Sequence, residues 1–188
     1  MLLMLAGLVV FIGMHVFTTQ RGASAALIAR IGEGPYKALY SLVSLAGLLM
    51  IAYGYVAWRA AGPAQLWYPP LWTRHLALLL MIPAAILLVA AYVPSHIRLW
   101  LKHPMLAAIK IWALAHLLSN GDIASIVLML AVLGWAVYAR ISMKRRNDAP
   151  KPAPRGWVGD GIAVVAGLAL YLFLLYMFHP YVVGVSAI

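Results

Sequence analysis

Six histidines, four carboxylates and no cysteine bound the chemistry open to this 188-residue chain. Without thiols it has no disulfide, thiolate metal site, iron–sulfur cluster or cysteine nucleophile. Glu33, Asp122, Asp148 and Asp160 are too few and too scattered for paired acid–base work. Asp122 and Asp160 each open an apolar run, where a short carboxylate suits a helix N-cap, and Gly121 suits the end of the helix before it. Lys110, the one lysine inside an apolar run, is expected to snorkel toward an interface. The histidines separate by depth. His75 and His179 fall at the ends of runs, and His96 and His103 flank a connector that carries Arg98, Trp100 and Lys102. His15 and His116 lie inside apolar runs, where an ionisable group is costly and therefore a functional candidate. Trp112 and Asn120, one turn before and one turn after His116, share its face.

Two neutral imidazoles on different helices of an apolar bundle can hold a b-type haem through both axial positions, with no covalent attachment. Depth along the helices, about 10 Å above the cytoplasmic interface for His15 and about 18 Å for His116, allows that pairing. His103 and His116, about 20 Å apart along a helix and on opposite faces, cannot share one iron. No H-x-x-x-H or H-E-x-x-H spacing occurs, which argues against a multi-histidine zinc site.

The elements that must position these residues are membrane spans. The chain is 65% apolar and 10% charged, far from a soluble domain, and its mean hydropathy is +0.94. Six runs, about 2–18, 36–58, 71–93, 105–118, 123–138 and 160–178, predict one all-α, polytopic domain over 1–188. Pro35 suits a helix start, Pro83 is expected to kink the third run, and 140–158 reads as a cytoplasmic linker. The first run lacks the basic residues that precede a cleavable signal, so it is expected to stay as a span. Six crossings put eleven basic residues between Arg21 and Arg155 on one side, leave Arg59 and Arg74 opposite, and embed Lys110. By the positive-inside rule both termini then face the periplasm of a bacterial inner membrane. The net charge of +10 is thereby explained by lipid-facing loops such as Met143-Lys144-Arg145-Arg146, and nucleic acid is not an expected partner.

Three blocks carry a family resemblance over nearly the whole chain. They are Gly13-Met14-His15 with Gly32-Glu33-Gly34 and Tyr36, then Lys102-His103-Pro104-Met105-Leu106, then Trp112-Ala113-Leu114-Ala115-His116-Leu117-Leu118-Ser119-Asn120-Gly121-Asp122. Together they resemble the NnrU family of membrane proteins, itself similar to 15-cis-zeta-carotene isomerase. The resemblance implies haem b with His15 and His116 as ligands of the iron. It also implies a role linked to nitrite and nitric oxide reduction in denitrification, or haem-dependent isomerisation of a carotenoid-like substrate. Either role makes a small gaseous or apolar molecule the expected ligand, with the bilayer as surroundings and protein partners unassigned. Ala113 stands where the isomerase carries a cysteine, so thiolate switching at the iron is impossible here. Phe11, Met14 and Trp112 are expected to line the haem pocket, and Asn120 and Asp122 to orient His116 through its second nitrogen.

Two other classes compete with this reading. Lys102-His103-Pro104 resembles the R-H-P element with which membrane methyltransferases help to hold S-adenosylmethionine. This chain departs from that pattern in its first residue and in having no glutamate after Glu33. The other class is a non-catalytic scaffold or assembly factor. Whether the chain is an enzyme is left open at this point.

Overall fold

The structure, a computed structural model, describes residues 1–145, 154 and 156–185. Asp148 and residues 146–153 and 155 of the expected linker lie outside the described residues. In chain order the helices are α1 (Leu2–Thr19), α2 (Arg21–Ile31), α3 (Glu33–Ala60), α4 (Leu71–Ala90), α5 (His96–Leu101), α6 (Pro104–Ser119), α7 (Ile123–Arg145) and α8 (Val158–Phe173). A π-helical segment, Leu174–Val183, continues α8. The described residues contain no strand, only an isolated bridge between Gln65 and Asp122.

All six expected runs are helical, with shifted ends. The third stops at Ala90, ahead of the turn that leads to Pro94, and passes through Pro83. The fifth runs on to Arg145 instead of ending at Tyr138, because arginine, lysine and methionine are good helix formers and charge alone does not end a helix. Residues 140–145 therefore belong to α7, not to a linker. Arg21–Ile31, between the first two expected runs, forms α2 from its alanine, leucine and arginine content. Five helices are long and apolar enough to cross a membrane: α1, α3, α4, α7 and Val158–Val183. The expected count of six also requires α6. Its 16 residues give about 24 Å, short of the roughly 30 Å hydrocarbon core.

The chain, expected as one domain, divides by its contacts into two compact units. The first comprises Met1–Tyr68 with Asn120–Ser142. Its core gathers Met4, Leu8 and Ile51, with Phe11, Tyr55 and Trp58 packed around them. The close approach of α1 to α3 depends on glycine. A Cβ at Gly7 would lie 2.7 Å from the Ile51 nitrogen, one at Gly47 2.8 Å from the Phe11 nitrogen, and one at Gly54 would collide with the Met4 backbone. In lipid, where apolar side chains gain little by leaving the solvent, such small-residue seams drive helix pairing through backbone contact.

The second unit comprises Pro69–Ser119 with Met143–Ile188, and in it α4 packs against both α6 and α8. Ala77, Ala84, Ala85 and Ala90 of α4, with Ala108, Ala113 and Ala115 of α6 and Ala163 of α8, are buried. Its helices are thus closely spaced on alanine as well as on Gly167 of α8, whose Cβ would press on Ile86.

Candidate functional site

In the first unit His15 occupies the last turn but one of α1. Its Nδ1 lies 2.7 Å from the Phe11 carbonyl oxygen, one turn back. A carbonyl only accepts, so Nδ1 carries the proton in the neutral ring and Nε2 holds the lone pair. Three aromatic rings surround the imidazole: Phe11 at 4.2 Å, Trp135 of α7 at 5.2 Å edge-on, and Tyr40 of α3 at 5.5 Å. Among the described residues the Trp135 indole Nε1 is buried with no hydrogen-bond partner. A buried indole N–H left in this way is uncommon and costly.

The second unit repeats the local device. His116 of α6 places Nδ1 2.9 Å from the Trp112 carbonyl oxygen, again one turn back. The Trp112 ring lies 4.9 Å away, as their spacing on one face predicts. The neighbour that sequence reasoning missed is His179, whose ring centroid is 6.3 Å from that of His116 with 24° between the planes. Its Nδ1 takes the Leu174 carbonyl, five residues back, at 2.7 Å. His179, expected at the end of its run with no special role, thus stands beside His116. The wider π-helical turn carries it there, and the one sequence signal was Pro180, which removes an N–H inside an apolar helix.

Asp122 takes the N-cap role expected of it and adds partners on other side chains. Its Oδ1 accepts from the Ser125 N–H at 2.9 Å, which caps α7. Its Oδ2 accepts from the Ser125 hydroxyl at 2.7 Å and from Arg59 at 3.0 Å, while Tyr55 reaches the same serine at 2.8 Å. The bond described at His116 Nδ1 is the one it donates to the Trp112 carbonyl. Gly121 serves the backbone: a Cβ there would overlap the Trp67 carbonyl oxygen, and the Leu66 N–H donates to the Gly121 carbonyl at 2.8 Å. Asn120 directly precedes that bridge.

Asp160 departs from its expected role as N-cap of its own helix. Trp157 holds that position, and the Asp160 carboxylate instead accepts from the backbone N–H groups of His96 and Ile97, at 3.2 and 3.0 Å, and faces His96 Nδ1 at 2.8 Å. It therefore caps α5 across the unit. His75 is exposed in the first turn of α4, and His103 stands at the junction of α5 and α6.

Among the described residues no group of three or more histidines or carboxylates could hold a metal ion. Imidazoles presenting Nε2 one or two at a time suit a metal that brings its remaining ligands with it, as the porphyrin of a haem does.

Long apolar helices with imidazoles set inside them define a multi-pass, all-helical membrane protein. The chain belongs to the NnrU protein family, whose profile matches residues 3–187. No curated protein and no solved structure matches it.

Proposed function

We propose that this NnrU protein binds one haem b among its membrane-spanning helices, with His15 and His116 as the axial ligands that the family resemblance implies. One observation carries the reading: both rings sit in apolar helices with Nδ1 tied to the carbonyl one turn back, at 2.7 and 2.9 Å. That bond fixes each ring's tautomer and orientation and raises the basicity of Nε2, the preparation commonly found in metal-ligating histidines. Phe11, Tyr40 and Trp135 exclude water around His15, and Trp112 covers one side of His116. When bound, haem would supply a reversible one-electron couple and, with one axial position open, a seat for nitric oxide or an alkene.

A role in nitrite and nitric oxide reduction, the first that the resemblance implies, needs the couple and one histidine giving up its place to the gas ligand. Haem-dependent isomerisation of a carotenoid-like substrate needs an axial ligand to leave as well. A second reading of the ligand set rests on the 6.3 Å between the His116 and His179 rings, which makes His179 the competing axial partner.

Absorption spectra, oxidised and reduced, of protein purified from haem-supplemented cells decide among these readings. The expected result is about one haem per chain, lost in His116→Ala and His15→Ala and kept in His75→Ala. Loss in His179→Ala with retention in His15→Ala assigns the second ligand set. A featureless spectrum after reconstitution ends the haem reading and leaves the S-adenosylmethionine methyltransferase and assembly-factor readings.

The proposed setting is a bacterial inner membrane crossed six times, α6 being the short crossing, with both termini periplasmic. Reporter fusions after Pro150 are expected to read cytoplasmic and those at Gly62 periplasmic.

A further inference from the structure

Among the described residues, Arg98 is half-buried and buries one guanidinium N–H that no acceptor meets. Of the four acidic residues in the chain, the three described are each engaged: Glu33 with Lys37, Asp122 with Arg59, and Asp160 with His96. Arg98, in the short helix α5, has a buried Nε with no hydrogen-bond partner among the described residues. Its own backbone N–H is taken by the Ser95 hydroxyl at 3.2 Å, so the orphan belongs to the side chain alone. A buried guanidinium N–H without an acceptor is costly, and the chain holds no described carboxylate free to meet it.

The surroundings of α5 say what kind of anion fits. The helix lies in the second unit, between the end of α4 and the start of α6, and is tied to the start of α8 through Asp160. These are ends of apolar helices, the level at which a bilayer presents its headgroups. Two tryptophans stand there, Trp100 67% exposed and Trp157 65% exposed, with rings 6.3 Å apart. Indole rings exposed at helix ends mark the membrane interface. His96 stacks on Trp157 at 4.2 Å, and both Asp160 oxygens are engaged by His96 and the Ile97 N–H, so this carboxylate is held away from Arg98. Lys102, exposed at the C-terminal end of α5 and four residues after Arg98, adds a second cation.

We propose that α5 and the start of α8 form a headgroup site for an anionic phospholipid, in which the Arg98 guanidinium donates to the phosphodiester, Lys102 adds charge, and Trp100 and Trp157 lie along the acyl–headgroup boundary. The site stands apart from the haem reading and does not depend on it.

Native mass spectrometry of the full chain, exchanged into equal amounts of phosphatidylglycerol and phosphatidylcholine with matched acyl chains, tests the site. The wild type is expected to retain phosphatidylglycerol in preference by about fivefold, the attraction of one basic residue to an anionic surface. Arg98→Gln is expected to abolish the preference, Lys102→Gln to reduce it, and Arg74→Gln to leave it intact. Should Arg98→Gln fail to fold, Lys102→Gln, a change at an exposed position, still decides by its reduced preference. Equal retention of the two lipids by wild type, or an unchanged preference in both Arg98→Gln and Lys102→Gln, overturns the proposal. Displacement of the lipid by excess inorganic phosphate assigns the site to a free phosphate and overturns the lipid occupant.

Discussion

In the first unit His15 is walled by three aromatic rings drawn from α1, α3 and α7, whereas in the second His116 has one tryptophan and a second imidazole. The backbone bond to Nδ1 is the same in both. A carboxylate also ties each unit near a helix start, but with different reach. Asp122 caps its own helix and holds Arg59, while Asp160 caps a neighbour and holds His96. The local device follows from helix geometry and the residue type. What surrounds it follows from packing, and packing is what gives two similar histidines different chemical settings.

The largest test of this contrast is Asp122→Ala. It leaves the Ser125 N–H uncapped and Arg59 unpaired, a loss of about 2–4 kcal/mol, tempered because Arg59 is partly exposed. Reversible unfolding in mixed micelles measures it. A change below about 0.5 kcal/mol would mean that the Asp122 network does not hold the first unit together.

Trp135→Phe should act in the opposite direction. It keeps a ring beside His15 and removes an orphaned buried N–H, so the haem-free protein is expected to gain about 1 kcal/mol. If the loaded protein loses stability instead, that N–H serves the bound group, and the aromatic wall is part of the site rather than packing alone.

Asp160→Asn is the smallest and most local of the three. The amide keeps one acceptor oxygen where the carboxylate uses two, so faster hydrogen exchange is expected at His96 and Ile97, with the first unit unchanged. Exchange that rises throughout the chain would contradict a tie confined to α5 and α8.

Much of the fold could be read from the sequence because its signals are long and redundant. Six apolar runs announce six helices, and the four-residue spacing of Trp112 and His116 announces a shared face. The cap on α7 by Asp122 was also legible, since an aspartate just before an apolar run has one cheap use. The Asp160 contact was not, because its partners lie more than sixty residues away and only packing brings them near. His179 escaped for a different reason. Depth was counted at a constant rise and turn, and the chain departs from that count in the π-helical segment before Pro180.

That departure has a consequence for how such a helix tolerates change. A helical wheel assumes a constant angular step, and each turn closed by a bond to the fifth residue instead of the fourth absorbs one residue more than the wheel allows. Leu174–Val183 therefore acts as a phase shifter within one continuous rod. Deleting a single residue between Leu174 and His179 would restore the ordinary step and swing the imidazole off His116, while the length, the hydropathy and every other contact of α8 upstream stayed almost as before.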